Sequence, residues 1–238
     1  MNRGPSMTHH LLRRAVMISL IAALLGVTSG LKTDALSRSV GGPPVVRCAS
    51  LIYGKNKASE CFASQFLEQM EADTQIRTDP VFRPVRLESA GLFDYPFAIM
   101  TGEGEFTLTE AQRQQMRTYL EAGGFIVASA GCSSESWNES FEREIARVFA
   151  AKALERLDGG HEVFHTVYDI TSSKYKSGDN KLPHLEGLTL DDRIVLIYSP
   201  DGLNDTGNAE EDCCCCGGNE IRSAKQLNVN LLAYALTH

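Results

Sequence analysis

The stretch formed by residues 93–149 constrains the fold more than any other part of this chain. An apolar segment at residues 96–101 leads into a loop rich in glycine and glutamate, and an amphipathic helix is predicted from about residue 109 to residue 122. Gly123 can end that helix in a left-handed conformation, and a second apolar segment follows at residues 125–130. Strand, helix and strand in this order predict a βαβ unit with parallel strands.

Further strands and helices are predicted on both sides of this unit. Apolar or β-branched runs predict strands at residues 45–53, 84–87 and 193–198, and the closing helix is predicted at residues 227–236. Strands that alternate with helices predict an α/β domain, doubly wound around a mostly parallel sheet. Residues 153–190 should contain short strands and loops, with residues 161–170 extended.

Three local patterns predict where helices begin and which face they bury. Phe62, Phe66 and Met70 follow a helical spacing, so one helix should include all three. Thr107 with Glu110, or Thr109 with Gln112, can form the capping box of the helix near residue 109. Ser136 with Glu139 can cap the next helix.

The first 30 residues have the pattern of an export signal. Arg13 and Arg14 precede an uncharged apolar run at residues 15–27, and small residues follow. A membrane-spanning helix needs about 20 apolar residues, so cleavage is expected, and an uncleaved N-terminal anchor is the alternative. We expect a signal peptide at residues 1–30, a flexible tether at 31–44 and a single domain at 45–237, exported from a bacterium to the periplasm or beyond.

The charge of the chain bears on its partners. The full sequence carries a net charge of −7, and removal of residues 1–30 takes away three arginines and no acidic residue, which leaves −10. An acidic chain without a basic cluster is a poor match for nucleic acid or for a negatively charged membrane surface. The expected partner is therefore a small molecule or another protein.

The predicted loops at the carboxyl ends of the strands carry most of the candidate site residues. Such loops meet at one edge of a parallel sheet, where α/β proteins commonly bind ligands. The candidate ligand-binding side chains are Tyr53, Lys55, Glu103, Glu105 and Asp201. Glu103 and Glu105 stand in a Gly-Glu-Gly-Glu loop, which can also be an ordinary solvated turn.

Several sequence blocks together resemble a known family. They are FDYPFAIMTGEGEFTLTEAQ, RTYLEAGGFIVASAGC, SFEREIARVF, HEVFHTVYDI, RIVLIYSP and LNVNLLAYALT. They resemble the uncharacterised bacterial family called domain of unknown function 4159, over roughly residues 45–237. The resemblance implies a three-layer α/β fold, glutamine amidotransferase-like or flavodoxin-like, and it implies no activity.

Cys132 is the candidate catalytic nucleophile. It follows a predicted buried strand, between Gly131 and Ser133, and a helix comes next. In amidotransferase-like folds a cysteine at such an elbow is a nucleophile, because the turn exposes the sulfur and nearby helix N–H groups favour the thiolate. His161 or His165 would supply the base. The alternative is a small buried thiol at a strand end.

The two histidines also stand in a zinc-protease pattern. Residues 161–165 read HEVFH, which binds zinc when both histidines lie on one helical face. Gly159 and Gly160 precede the pattern and oppose a sustained helix. We therefore expect a chance match.

Four consecutive cysteines leave three interpretations open. They are Cys213, Cys214, Cys215 and Cys216. Thiolates bind zinc or copper(I), although adjacent side chains diverge and favour fewer than four ligands from this run. The cysteines could instead form disulfides with Cys48, with Cys61 or with each other. They could also lie in an inert loop.

Taken together, the sequence predicts a non-catalytic exported domain that binds a ligand or partner at the carboxyl edge of its sheet. The first alternative is a cysteine-dependent hydrolase or amidotransferase that uses Cys132 and His165. The second is a metal-binding protein that uses Cys213–Cys216, with zinc or copper as its ion.

Overall fold

A computed structural model of the protein describes residues 44–55, 57–59, 62–175, 177–204 and 221–238. These residues contain a large central sheet, a small two-stranded sheet and four α-helices. The strands are β1 (Cys48–Tyr53), β2 (Lys57–Ala58), β3 (Arg83–Arg86), β4 (Phe97–Gly102), β5 (Phe125–Ala130), β6 (Glu155–Arg156), β7 (Ser173–Lys174), β8 (Asn180–Lys181), β9 (Glu186–Leu190) and β10 (Arg193–Ser199). The helices are α1 (Gln65–Asp73), α2 (Glu110–Glu121), α3 (Glu135–Val148) and α4 (Ala224–Thr237).

The central sheet is mixed and mostly parallel. Its parallel strands lie side by side in the order β3, β1, β4, β5, β10. Next to β10 lies β9, which is antiparallel, and β6 pairs antiparallel with β9. The short β2 pairs antiparallel with the end of β1. The predicted α/β class with a mostly parallel sheet is confirmed, and β9 lies within residues 153–190, where short strands were expected but not placed.

Helices cover both faces of this sheet, which explains why its central strands are apolar along most of their length. In β5, Phe125 and Val127 belong to the core cluster that contains residues of α1 and α4. Their neighbours Ile126 and Ala128 belong to the other cluster, which contains residues of α2 and α3. Successive side chains of a strand point to opposite faces, so a strand covered on both sides needs apolar residues at every position.

The helix α2 begins and ends as the sequence predicts. Thr109 and Gln112 form its capping box, which decides between the two predicted caps. Gly123 follows the helix with a φ of +104°, a conformation that L side chains rarely adopt. Local chemistry alone therefore fixes both ends of this element.

Three local predictions are wrong. Helix α1 begins at Gln65, so Phe62 precedes it, although the Phe62 ring still packs on Phe66 with the ring centroids 6.1 Å apart. Helix α3 begins at Glu135 after the N-cap residue Ser134, so a cap by Ser136 and Glu139 lies inside the helix and does not form. Residues 161–170 contain a 3₁₀ turn at Glu162–Phe164 and a loop, because the chain here wraps around the end of α4.

Within the described ranges, every helix is too short or too polar to cross a lipid bilayer.

Candidate functional site

The loops that follow β4, β5 and β10 meet at the carboxyl edge of the sheet. The Ser133 hydroxyl donates a hydrogen bond to the backbone carbonyl of Asp201 at 2.9 Å. Gly131 lies against Glu103, since a Cβ atom at Gly131 would be 3.1 Å from the Glu103 Cγ. The structure thus brings together Glu103, Asp201 and the segment that carries Cys132, as the sequence predicts for one edge of a parallel sheet.

The backbone at Cys132 and Ser133 is unusual. Both residues have positive φ values, 51° and 50°, in the left-handed region that residues other than glycine rarely occupy. This conformation costs roughly 1–2 kcal/mol per residue, and such strain tends to persist at functional sites. Cys132 is partly exposed, and it stands between the buried strand β5 and the start of α3.

Tyr53 supports this edge from below and does not reach its surface. Its side chain is fully buried at the end of β1. The hydroxyl donates to the Thr101 carbonyl at 2.9 Å and accepts from the Trp137 Nε1–H at 2.6 Å. Burial raises the pKa of Tyr53 far above its usual range. The hydroxyl is neutral at physiological pH and ties β1, β4 and α3 together.

Asp201 is held by a buried tyrosine. The Tyr175 hydroxyl donates to Asp201 Oδ2 at 2.8 Å. Burial, followed by this contact with the carboxylate, raises the pKa of Tyr175 well above its usual range. The Asn138 side chain of α3 binds the same loop through the Pro200 carbonyl at 3.2 Å. The orientation of the loop after β10 is therefore fixed from two sides.

A layer of small hydroxyl side chains underlies the edge, and the sequence analysis missed it. Thr101, Ser129 and Ser199 stand in register on adjacent strands, and all three are fully buried. Ser129 Oγ accepts from the backbone N–H of Leu203 at 2.6 Å, which draws the loop after β10 over the end of β5. The sequence did carry a signal for this layer, since each of these apolar strands has a hydroxyl residue near its end.

A surface pocket of about 360 Å³ opens between the ends of β1 and β4. Its lining residues are Lys55, Lys57, Glu105, Phe106 and Thr107. The Lys57 ammonium donates to the backbone carbonyl of Glu103, which links the start of β2 to the loop after β4. The sequence predicted Lys55 and Glu105 as binding residues, whereas it assigned Lys57 only to the turn.

His165 lies away from the strained cysteine. Its Nδ1 is 2.5 Å from Asp169 Oδ1, and its Nε2 is 2.8 Å from the Gly159 carbonyl. The hydrogen bond to the Gly159 carbonyl is the main cause that raises the pKa of His165 above its usual value, and the hydrogen bond to the Asp169 carboxylate is the second. The 3₁₀ turn that precedes His165 packs against the C-terminal part of α4, whose Tyr234 contacts Phe125 at the start of β5. His165 is therefore placed toward the amino ends of the strands, opposite to Cys132.

The HEVFH segment does not present its histidines to a common point. His161 begins the 3₁₀ turn and accepts from the Val163 N–H through Nδ1 at 3.2 Å. Its ring packs on Tyr234, while His165 faces Asp169. Throughout the ranges that the structure describes, no group of three His, Cys, Asp or Glu side chains is arranged to hold a metal ion.

Of the remaining cysteines, only Cys48 lies among the residues that the structure describes. Cys48 is a fully buried, free thiol in β1, so it forms no disulfide with the cysteine run in this structure. Burial is the main cause that raises the pKa of the Cys48 thiol to about 12. Cys61 lies outside the described residues, and so do the four predicted metal ligands Cys213, Cys214, Cys215 and Cys216. The metal site predicted at these four cysteines therefore stays a prediction.

Comparison with known proteins places the chain in a family. The family model for the Domain of unknown function (DUF4159) matches residues 47–236. The chain belongs to this family. The match begins just before β1 and ends within α4, so it includes the whole sheet and the carboxyl edge. No curated protein matches the chain.

Proposed function

We propose that this member of the DUF4159 family is an exported binding protein, whose ligand or partner docks at the carboxyl edge of the sheet. The observation that carries the proposal is the convergence of the loops after β4, β5 and β10, through the Ser133–Asp201 hydrogen bond and the packing of Glu103 on Gly131. These contacts hold polar groups from separate loops at one place, and ligand sites of α/β sheets have this construction.

The strand order supports a finer fold assignment. Across the sheet the parallel strands lie in the order β3, β1, β4, β5, β10. When these five strands are numbered by their position along the chain, the order is 2-1-3-4-5. This is the order of flavodoxin-like, doubly wound sheets. Together with helices on both faces, it supports the three-layer arrangement that resembles class I glutamine amidotransferases.

The same order points to one position along the edge. In a sheet of this kind the chain runs outward in opposite directions from the first and third strands, which leaves a crevice between their carboxyl ends. Here those strands are β1 and β4, and the 360 Å³ pocket lies between the loops that follow them. We therefore place the principal binding site there, with the Glu103, Cys132 and Asp201 loops beside it.

A nuclear magnetic resonance titration tests the proposal. Five probes (succinate, pyrophosphate, glucose, putrescine and acetamide) are added separately to the ¹⁵N-labelled protein. At least one should give saturable amide shifts in the loops after β1, β4, β5 and β10.

Two tryptophan variants make the result specific. Thr107→Trp fills the pocket from an exposed position, and it should abolish those shifts. Thr118→Trp is the matched control on an exposed position of α2, and it should leave them unchanged. Shifts confined to other surfaces, or an equal effect of the two variants, would refute the site.

A cysteine-dependent enzyme is the second candidate, and the left-handed backbone at Cys132 favours it. The proposed base, His165, faces Asp169 and Gly159 in this structure, so a second conformation would have to bring it or another base to the thiol. This candidate predicts hydrolysis of an ester or amide substrate that Cys132→Ser abolishes. Binding that survives in Cys132→Ser without any turnover in the parent would leave the binding protein as the function.

The metal-binding alternative rests on Cys213, Cys214, Cys215 and Cys216 alone. It predicts stoichiometric zinc or copper in protein purified under reducing conditions without chelator, and loss of that metal when the four cysteines become serine. Equal metal content in the two proteins would exclude it.

A further inference from the structure

We propose that the pocket between β1 and β4 binds a small oxyanion with at least two negative charges, such as a phosphate or carboxylate group of a larger compound. The inference rests on the proposed function and names the class of its ligand. Lys55 lines the pocket from the turn after β1 and Lys57 from the start of β2, and Glu105, Phe106 and Thr107 line it from the loop after β4. Ammonium groups on a site that also offers a threonine hydroxyl are typical partners of oxyanions.

The local charge has the opposite sign to that of the chain. The sequence carries a net charge of −7, yet two lysines and one glutamate line this pocket. A third cation lies near the pocket without lining it, because an Arg143 guanidinium nitrogen donates to the carbonyl of the lining residue Phe106 at 3.1 Å. Arg143 is only loosely paired with Glu105, at 3.9 Å, and the Glu105 side chain is 78% exposed. The pocket is therefore a positive region in an acidic protein, which attracts anions.

Both walls of the pocket are fixed before any ligand binds. On one side, the buried Gln112 amide binds the turn after β1, since its Oε1 accepts from the Gly54 N–H at 3.1 Å. On the other side, the Phe106 N–H donates to Ser140 Oγ at 3.1 Å. The Phe106 ring is buried against Tyr53, with the ring centroids 4.9 Å apart. Little ordering is then needed on binding, and pre-organisation of this kind favours affinity.

Another arginine-lined pocket on the protein lacks this excess of positive charge. It lies between α2 and α3, and its arginines are Arg113, Arg117 and Arg147. The buried carboxylate of Glu144 binds two of them, at 3.1 Å and 2.7 Å. Glu121 lies 3.7 Å from the third, and Glu110, which also lines this pocket, lies 3.4 Å from Arg113, so three carboxylates accompany the three arginines. Those cations are already neutralised, so the oxyanion site is assigned to the lysine pocket.

Isothermal titration calorimetry of the full chain at low ionic strength tests the inference. The probes are pyrophosphate and citrate, with glycerol as the uncharged control. At least one oxyanion should bind with a stoichiometry of one, and affinity should fall as salt is added, because exposed charge pairs are screened. Tighter binding of pyrophosphate would identify a phosphate compound as the natural ligand, and tighter binding of citrate a carboxylate.

Two substitutions of opposite effect make the test specific. The double variant Lys55→Gln, Lys57→Gln should weaken oxyanion binding about five- to thirty-fold, since an exposed ion pair contributes up to about fivefold. The single variant Glu105→Gln should tighten binding by about two- to fivefold, because it removes a like charge from the pocket. A misfolded variant does not bind more tightly, so the second result does not arise from damage to the fold.

A matched control and one comparison complete the design. The control Lys152→Gln, Lys174→Gln removes two exposed lysines that do not line the pocket, and it should leave affinity unchanged. Equal weakening by both double variants, or no oxyanion binding at millimolar concentration, would overturn the inference. Amide shifts at the edge with glucose, putrescine or acetamide but with no oxyanion would overturn it while leaving the proposed function intact.

Discussion

The hydroxyl layer beneath the carboxyl edge gives a quantitative prediction from two neighbouring serines. Ser129 and Ser199 are both fully buried and pair in register on β5 and β10. Ser129 Oγ accepts from the Leu203 N–H at 2.6 Å, whereas Ser199 Oγ has no hydrogen-bond partner among the described residues. In Ser129→Ala a buried N–H loses its acceptor, which costs about 1–3 kcal/mol of the free energy of unfolding.

The matched substitution Ser199→Ala should behave differently. It removes a buried hydroxyl that is unpaired in this structure, so stability should stay the same or rise. One kcal/mol corresponds to about 2–4 °C in the melting temperature of a domain of this size. We therefore expect Ser129→Ala to melt about 2–12 °C below the parent, and Ser199→Ala at or above it. Differential scanning calorimetry and urea unfolding measure both quantities.

The refuting result is equally specific. Equal destabilisation by the two substitutions, or a larger loss in Ser199→Ala, would show that the Leu203 hydrogen bond does not hold the loop after β10 against β5. The loop convergence on which the proposed site depends would then lose one of its supports, and the Ser133–Asp201 hydrogen bond and the packing of Glu103 on Gly131 would remain.

Three further predictions concern the rest of the fold. Glu144→Ala removes a 1% exposed carboxylate that pairs with two arginines, and it should lower the free energy of unfolding by about 3–5 kcal/mol. Glu110→Ala removes an 88% exposed carboxylate and should change the free energy of unfolding by less than about 1 kcal/mol, and urea unfolding compares the two variants. Gly202→Ala should destabilise the protein more than Gly178→Ala, although both glycines have positive φ. A Cβ atom at Gly202 would lie 3.1 Å from a backbone carbonyl oxygen, whereas one at Gly178 would meet no atom within 4 Å. Equal melting temperatures of the two variants would contradict this. Burial raises the pKa of the Cys48 thiol from 9.0 to about 12, so the unfolded chain releases this proton at a lower pH than the folded protein does. The free energy of unfolding should therefore fall as the pH rises from 9 toward 12, by up to about 1.4 kcal/mol per pH unit. This dependence on pH should be shallower in Cys48→Ala, and an unchanged slope would count against a buried thiol.

Much of the fold follows from local sequence signals. The capping box of α2, the glycine after it and the mostly apolar run of β5 each depend on neighbouring residues, and each was predicted. The position of β9 within residues 153–190 was not predicted, because Glu186–Leu190 contains only two buried residues and becomes a strand through its pairing with β10. Non-local pairing of this kind leaves little trace in a short segment.

The candidate site was also predictable only in part. The edge itself was predictable, since loops after parallel strands must meet at the same side of the sheet. The roles of single side chains were not. Tyr53 was predicted to face a ligand, but its hydroxyl lies between the Thr101 carbonyl and the Trp137 indole, which come from distant parts of the chain. Lys57 was assigned to a turn, and only the meeting of two loops makes it part of a pocket.

The central claim is that the carboxyl edge between β1 and β4 is where this protein binds its ligand. The most direct measurement is a crystallographic soak of the protein with a set of small polar fragments, read by where the fragments bind. The account predicts that they concentrate among Lys55, Lys57 and Thr107. Fragments that concentrate instead in the pocket beside His161 and Tyr234, with the carboxyl edge left empty, would contradict it.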